Sequence, residues 1–137
     1  MELLDGDLER LLEDGGRTGE CVLSFRDVLN ALLQIAEAMR HLHERNFVHG
    51  DLKPGNIFVS KLPVPHNNNT EHFYLGGIGS SQCVGSVFGF SIGTTNYTAP
   101  ELFEFRNTDV WKSSFVNGAP PPPNPQKIDV YSFGVVA

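Results

Sequence analysis

The stretch from His49 to Val59 constrains this chain more than any other part of the sequence. It contains the carboxylate of Asp51, the ammonium group of Lys53 two residues later, and the amide of Asn56 three residues further on. Apolar residues flank it on both sides, so we expect a loop that aims these three groups into one cleft. There Asp51 can accept a proton from a hydroxyl, Lys53 can meet a phosphate, and Asn56 can hold a metal through its carbonyl oxygen.

Three segments resemble motifs of the protein kinase family, and they occur in the family's order. The first is His49–Val59, which is similar to the catalytic loop of that family, with Gly50 where arginine is usual. The second is Gly93–Glu101, which resembles the G-T-x-x-Y-x-A-P-E segment. The third is Asp129–Val136, which resembles the opening of the central helix of the C-lobe. The resemblance implies an α+β protein-kinase-like fold.

The resemblance extends over nearly the whole chain of 137 residues. A complete kinase domain is roughly twice as long, near the upper end of single-domain sizes. We therefore interpret residues 1–137 as a partial kinase domain, either a fragment or a truncated gene product. The expected fold is a mainly α-helical C-lobe fragment with short β-strands and with the N-lobe missing. Insert loops are predicted at about residues 61–72 and 103–127.

Hydrophobic spacing predicts one long helix, which starts at Ser24 or Asp27 and ends near Arg45. Two histidines near its end, His41 and His43, are interpreted as surface residues. The apolar residues that recur at helical spacing are expected to form one continuous stripe. They are Val28, Leu29, Leu32, Ile35, Ala36, Met39 and Leu42.

Shorter elements are predicted on either side of this helix. Asp7 is expected to cap a helix over Leu8–Leu12 that ends at Gly15 and Gly16. Asp129 is expected to cap the last helix. Short strands are predicted at residues 47–48, 57–59 and 73–75.

The kinase resemblance implies a set of site residues. The catalytic residues would be Asp51, as the base for the substrate hydroxyl, and Lys53, which neutralises charge on the γ-phosphate. The hinge residues Glu2 and Leu4 would bind the nucleotide, and Phe58 would pack beneath its adenine ring. In the family, the aspartate at the last motif also holds the backbone of the catalytic loop. Structural roles within the motifs would belong to His49, Thr94, Glu101 and Asp129.

The metal site departs from the family pattern. The resemblance implies ATP and Mg²⁺, with Asn56 as one metal ligand. The family's D-F-G segment corresponds to Gly77-Ile78-Gly79, so Gly77 stands where the metal-binding aspartate belongs. Ile78 is expected to fill the apolar site of the phenylalanine. Because glycine offers no side chain to a metal, we expect this chain itself to be inactive.

Three functions are compatible with these motifs. A protein serine/threonine kinase is favoured over a tyrosine kinase by Lys53 and Thr94. A pseudokinase or interaction module is favoured by the loss at Gly77. A small-molecule phosphotransferase is suggested by the H-G-D-x-x-P-G-N pattern of residues 49–56, which resembles aminoglycoside and choline phosphotransferases. Those families lack the other two motif segments of this chain.

Regulation by phosphorylation of the segment from Gly77 to Pro100 is not favoured. That segment contains no Asp, Glu, Lys or Arg. An activating phosphate normally needs an arginine to receive it, and the family's receiver is replaced here by Gly50. The segment's candidate acceptor residues are Ser80, Ser81, Ser86, Ser91, Thr94 and Thr95.

Composition limits the partners. A net charge of −6 and a pI near 5.2 argue against nucleic acid. No apolar run reaches the roughly 18 residues of a membrane span. A cytoplasmic location, or the cytoplasmic side of a membrane receptor, is therefore expected, with Cys21 and Cys83 as reduced thiols. The expected partner is a protein substrate or interaction partner, and Pro120–Pro125 is a possible dock for an SH3 or WW module.

Overall fold

Helices and short antiparallel strands make up the described chain, as the predicted α+β fold requires. The computed structural model describes residues 6–20, 23–60, 72–84, 94–106 and 124–137. In these ranges lie β1 (Gly6–Asp7), α1 (Leu8–Thr18), α2 (Phe25–Glu44), β2 (Phe47–Val48), β3 (Ile57–Ser60), β4 (His72–Leu75), β5 (Gln82–Cys83), α3 (Pro100–Arg106) and α4 (Gln126–Val136). Single turns of 3₁₀ helix occupy Pro54–Asn56, Ile78–Ser80 and Thr95–Tyr97.

Two compact units divide the chain, and each is described by itself. The first unit comprises residues 1–38 and 54–76, and the second comprises residues 39–53 and 77–137. The helix α2 contributes its first part to the first unit and its last part to the second unit.

A three-stranded antiparallel sheet with the order β1-β3-β4 forms the first unit's framework. In β3, Ile57 and Val59 are buried, and Phe73 of β4 lies opposite Val59. The backbone N–H of Phe73 donates to Oε1 of Gln34 at 3.0 Å, which ties α2 to this sheet. The strands predicted at residues 57–59 and 73–75 are confirmed, each with one additional residue, Ser60 or His72.

The long helix α2 begins with a reciprocal cap. The Asp27 N–H donates to Oγ of Ser24 at 3.2 Å, and the Ser24 N–H donates to Oδ2 of Asp27 at 3.0 Å. This capping box satisfies backbone donors that the first helical turn would otherwise leave unpaired. The long helix predicted up to about Arg45 is therefore confirmed, with its last helical residue at Glu44.

We expect this cap to weaken in acid. Hydrogen bonds from the Ser24 side chain, and then from its backbone, hold the pKa of Asp27 below its usual value. Because the pKa is lower in the folded state, the stabilisation is full above the unfolded pKa of about 3.9 and is lost as pH falls through the folded pKa. Circular dichroism should show that Asp27→Asn lowers helix stability relative to wild type at neutral pH, and that the two proteins become equal in acid. Glu37→Gln, at an exposed position of the same helix, is the control. A deficit that persists unchanged in acid would contradict this cause.

The buried face of α2 is narrower than the predicted stripe. Ala31, Ile35 and Met39 are buried. Leu29 is 51% exposed and Ala36 is exposed, so their assignment to the stripe was wrong. An α-helix turns roughly 100° per residue, which places these two residues on the far side from Ala31.

The first helix is longer than predicted. Its cap at Asp7 is confirmed, because Oδ1 accepts a hydrogen bond from the Arg10 N–H at 2.9 Å. The predicted end at Gly15 and Gly16 is wrong, since the helix continues to Thr18. It ends where Gly19 adopts a left-handed φ of 72° and donates its N–H to the Gly15 carbonyl. A left-handed residue after the last turn is what closes a helix, and glycine adopts it without strain.

The ends of both predicted insertions lie in regular structure. His72 belongs to β4, residues 103–106 belong to α3, and Gln126 and Lys127 begin α4. The remaining insertion residues, 61–71 and 107–123, lie outside the described ranges, as do the prolines at positions 120–123. In the parts that the structure describes, no helix is both long and apolar enough to cross a membrane.

The hydrophobic core of the second unit contains the buried residues Val48, Ala99, Leu102 and Ile128. The hydroxyl of Ser132 on α4 donates to the Tyr97 carbonyl at 2.7 Å. The cap of α4 is Pro125, and Asp129 lies inside the first turn, so the prediction that Asp129 caps this helix was wrong. Its carboxylate instead accepts hydrogen bonds from the backbone of the loop that follows β2.

Candidate active site

Asp129 holds the backbone of the loop that starts at His49. Its side chain is buried, with the residue only 1% exposed. Oδ2 accepts from the His49 N–H at 2.8 Å, and Oδ1 accepts from the Gly50 N–H at 2.9 Å. The same Oδ2 lies 2.8 Å from Nε2 of His43 at the end of α2. One buried carboxylate thus connects α4, α2 and the start of the loop.

His43 is the functional neighbour that sequence reasoning missed. Its side chain is 20% exposed and faces Asp129, so its interpretation as a surface residue was wrong. Its backbone carbonyl also accepts from Nε2 of Gln126 at 2.8 Å. Helical spacing gives no signal for this pair, because the two residues lie 86 positions apart in the chain.

Gly50 adopts a left-handed backbone with φ of 79°. A Cβ built there would meet only the Ser80 carbonyl oxygen, at an ordinary contact distance of 3.6 Å. The need for glycine is therefore conformational, since a left-handed residue with a Cβ costs about 1–2 kcal/mol. The position carries no charge that would receive a phosphate.

His49 orients the residue that follows the glycine. It is fully buried, and its Nδ1 accepts from the Asp51 N–H at 3.2 Å. Its carbonyl lies 3.5 Å from Oγ of Ser81, which donates to it. The side chain and the carbonyl of His49 are thus both hydrogen-bonded, and the first of these contacts holds the backbone N–H of Asp51.

Thr94 joins Asp51 to Lys53. Oδ1 of Asp51 accepts from the Thr94 N–H at 2.9 Å and from its hydroxyl at 3.1 Å. The same hydroxyl accepts from Nζ of Lys53 at 2.6 Å. Nζ also lies 3.5 Å from Oδ2 of Asp51. The side chains of Asp51 and Lys53 are 19% and 27% exposed, so this carboxylate and ammonium pair stays accessible from solvent.

Gly77 supplies a backbone turn and no side chain. It precedes the 3₁₀ turn Ile78–Ser80 with φ of 72° and ψ of 22°. Ile78 is 59% exposed, so the expectation that it fills an apolar site was wrong. The 3₁₀ turn leaves this side chain in solvent.

In the first unit, Asn56 and Phe58 lie at the start of β3. The carbonyl of Asn56 accepts from the Gly76 N–H at 2.8 Å, which extends the pairing of β3 with β4 by one residue. Phe58 is half-buried and pairs with Tyr74 across the two strands. These two predicted ligand residues therefore share one sheet end.

The two positions that the resemblance assigns to the metal differ in what they offer. The amide of Asn56 fits a Mg²⁺ ligand, but Gly77 brings no oxygen from a side chain. Among the described residues, no group of three His, Cys, Asp or Glu side chains is arranged to hold a metal. Glu101 is exposed, and within the described ranges it forms no ion pair.

Five further residues named individually from the sequence lie outside the described ranges. They are Glu2 and Leu4, predicted to bind the nucleotide, Ser86 and Ser91, considered as phosphorylation sites, and Cys21, expected to be a reduced thiol.

Comparisons with known proteins show the family of this chain. A sequence profile described as the protein kinase domain matches residues 1–137. The chain is 32% identical to a light-sensor protein kinase of Ceratodon purpureus over 99% of its own length. It is also 32% identical, over 96% of its length, to the inhibitor of nuclear factor kappa-B kinase subunit alpha of Xenopus laevis and to the serine/threonine-protein kinase nekl-2 of Caenorhabditis elegans. The chain spans 11%, 15% and 32% of these three relatives. The chain therefore belongs to the protein kinase domain family.

Proposed function

We propose that this chain supplies the part of a protein serine/threonine kinase site that acts on the substrate hydroxyl and on the phosphate transferred to it. We also propose that the 137 residues alone do not transfer phosphate. The observation that carries the proposal is the arrangement in which Thr94 joins the Asp51 carboxylate to the Lys53 ammonium group. Members of the family use ATP and Mg²⁺ and act on protein hydroxyls.

Asp51 would act as the base toward the substrate hydroxyl. Its Oδ1 accepts two hydrogen bonds from Thr94, so we assign proton transfer to Oδ2, which faces Nζ of Lys53 at 3.5 Å. The hydrogen bonds to Oδ1 fix the rotamer of the carboxylate. A base held in place before the substrate arrives contributes about 10²–10⁴ in rate.

Lys53 would stabilise negative charge on the phosphate that is transferred. Its ammonium group has three donors, and the 2.6 Å hydrogen bond to Thr94 uses one of them. With its side chain 27% exposed, the group can approach a phosphate without crossing the unit's core. A serine or threonine hydroxyl on a protein is the acceptor class that this pair fits.

Gly77 is one reason for the proposed lack of turnover, and the other is that these 137 residues contain no counterpart of the family's phosphate-anchoring lysine and glycine-rich loop. Metal ions neutralise charge on the transferring phosphate, which lowers the barrier by several kcal/mol. Each 1.36 kcal/mol changes the rate about tenfold, so the missing carboxylate alone predicts a very slow site. ATP binding is proposed for the full-length protein, with Phe58 as the purine floor, and is doubtful for the 137 residues alone.

The same glycine favours a second function, that of a pseudokinase or interaction module. Such a protein would bind nucleotide or partner proteins without phosphoryl transfer. A cytoplasmic location, and docking of an SH3 or WW module at Pro120–Pro125, belong to this proposal as well. Polyproline segments fit aromatic grooves of such modules because their backbone is already extended.

The acceptor class can be tested in the full-length protein carrying Gly77→Asp, which supplies the missing carboxylate. We expect radiolabelled phosphate from ATP to appear on serine and threonine peptides and not on tyrosine peptides, aminoglycosides or choline. Adding Asp51→Asn to the same protein should abolish the label. Labelling of a small molecule in preference to all peptides would contradict the proposal and favour a small-molecule phosphotransferase.

Removing the hydroxyl of Thr94 should slow transfer in that same protein. Thr94→Ala loses the hydroxyl's hydrogen bonds to Asp51 and Lys53 but keeps the backbone N–H that donates to Asp51, and a hydrogen bond to a charged group contributes about 1.5–3 kcal/mol. We therefore expect kcat to fall roughly 10- to 100-fold. Thr94→Ser keeps the hydroxyl and should stay near the parent rate, and Thr95→Ala, at an exposed position, is the control. A similar kcat for Thr94→Ala and Thr95→Ala would contradict the role of this contact.

A further inference from the structure

The outer face of α2 carries an apolar ridge, formed by Phe25, Leu29 and Leu33. These side chains are 78%, 51% and 60% exposed. Because they follow one another at intervals of four residues, they lie in one row along the helix surface. The exposed Ala36 continues the row at its C-terminal end. The buried Ala31 lies on the far side of the helix, so the ridge takes no part in the core of the first unit.

The fold of α2 does not explain why these positions are apolar. The helix starts through the capping box of Ser24 and Asp27, to which the Phe25 side chain contributes no hydrogen bond. Polar side chains at Leu29 and Leu33 would satisfy the helix equally well, since they would stay in water. Contiguous exposed apolar side chains often mark an interaction surface. A convex row on a helix fits the side of another helix, whose side chains pack on either side of the row.

Two charged residues indicate what that other helix is. Arg26 and Glu37 are exposed, and neither forms an ion pair with another residue in the described ranges. At roughly 100° per residue they lie on the same flank of the ridge, one near each end. In an antiparallel pair of identical helices the same flanks come together. Arg26 of each copy then faces Glu37 of the other copy.

The ridge is self-complementary in the same register. Leu29 of one copy faces Leu33 of the other, and Phe25 faces the small Ala36, which leaves room for the ring. Every contact occurs twice, as a two-fold symmetric interface requires. A parallel pair would place Arg26 and Glu37 on opposite flanks and would lose the charge pairing.

We propose that α2 is a homodimerisation helix, on which a second copy of this chain docks antiparallel along the ridge. The interface is small compared with the roughly 1,200–2,000 Å² of stable complexes, so the dimer is weak and reversible. None of the ridge or flank residues belongs to the candidate active site. The inference therefore stands or falls independently of the proposed function.

Sedimentation velocity of the full-length protein over about a hundredfold concentration range tests the ridge. Wild type should pass from monomer to dimer as the concentration rises. Leu33→Glu should stay monomeric throughout with an unchanged Tm, because the residue is mostly exposed and glutamate is a good helix former. Leu12→Glu is the matched control, since Leu12 on α1 of the same unit is 52% exposed, and it should dimerise as wild type does.

A charge exchange tests the identity and direction of the partner. Arg26→Glu alone and Glu37→Lys alone should each raise the dimer Kd about tenfold, because like charges then meet at both ends of the interface. An equal mixture of these two variants should dimerise within about threefold of wild type, since opposite charges meet again at both ends of the mixed dimer.

Four results would overturn the inference. The first is a wild-type protein that stays monomeric at every concentration, and the second is a dimer that Leu33→Glu leaves intact. The third is a mixture of the two charge variants that associates no better than each variant alone. The fourth is a Leu33→Glu protein with a clearly lower Tm at the lowest concentration, which would show that another part of the same molecule covers the ridge.

Discussion

Asp129→Ala is expected to leave the second unit without a stable fold. The substitution removes the carboxylate that accepts hydrogen bonds from the N–H groups of His49 and Gly50. A buried donor left without an acceptor costs about 1–3 kcal/mol. With the contact to His43 also lost, the total of roughly 3–5 kcal/mol is a large part of the 5–15 kcal/mol that stabilises a typical domain.

Hydrogen exchange of the His49 and Gly50 amides measures this effect locally. In wild type both amides should be protected, and in Asp129→Ala both should exchange at the rate of an unfolded chain. Asp129→Asn should fall between the two, because its amide oxygen still accepts one hydrogen bond while its NH₂ group faces the other donor. Glu101→Ala is the control, since it removes an exposed carboxylate from the same unit. Unchanged protection of both amides in Asp129→Ala would contradict the role of this carboxylate.

Local sequence signals predicted the elements that depend on neighbouring residues. The helix α2 was found from its apolar spacing, and its start was predicted at Ser24 or Asp27, the two residues that form its cap in the structure. The cap at Asp7 followed from the same logic. In each case the stabilising contact lies within three residues along the chain, so the information is present in a short window.

Other features were not predicted correctly. The end of α1 depends on the left-handed backbone of Gly19, and residue type alone does not tell which of Gly15, Gly16 and Gly19 adopts it. Burial along α2 depends on what packs against it, which is why Leu29 was misassigned. The role of His43 depends on Asp129, far along the chain.

For the candidate site, the motifs predicted which residues take part, but not how their side chains contact each other. They named Asp51, Lys53 and Thr94, but the hydrogen bonds that join them became visible only in the structure. The metal roles of Asn56 and Gly77 stay predictions.

Gly77→Asp is expected to produce the second large effect. In the 137-residue chain alone we expect no measurable phosphoryl transfer, either before or after this substitution. Asp51 would still be in place as a base, but a base without a bound and polarised phosphate has no reaction to assist. In the full-length protein, the new carboxylate should add a metal ligand where the family has one.

The backbone at this position suits the substitution. Gly77 has φ of 72°, and Asp and Asn are among the residues that adopt left-handed backbone with the least strain. Gly77→Asn is therefore the matched control, because it has the same shape and a similar backbone cost but no charge. Gly77→Ala reports the cost of the backbone alone, at about 1–2 kcal/mol of stability.

The decisive measurement is a titration of ATP into the full-length protein, with and without Mg²⁺, before and after Gly77→Asp. We expect the wild-type Kd to change little with Mg²⁺ and the Gly77→Asp Kd to fall at least tenfold when Mg²⁺ is present. Gly77→Ala adds no ligand oxygen and should show the Mg²⁺ dependence of wild type, while Gly77→Asn, with a neutral ligand oxygen, should fall between wild type and Gly77→Asp. The same Mg²⁺ dependence before and after Gly77→Asp would show that Gly77 is not the metal position and would contradict the proposed reason for inactivity.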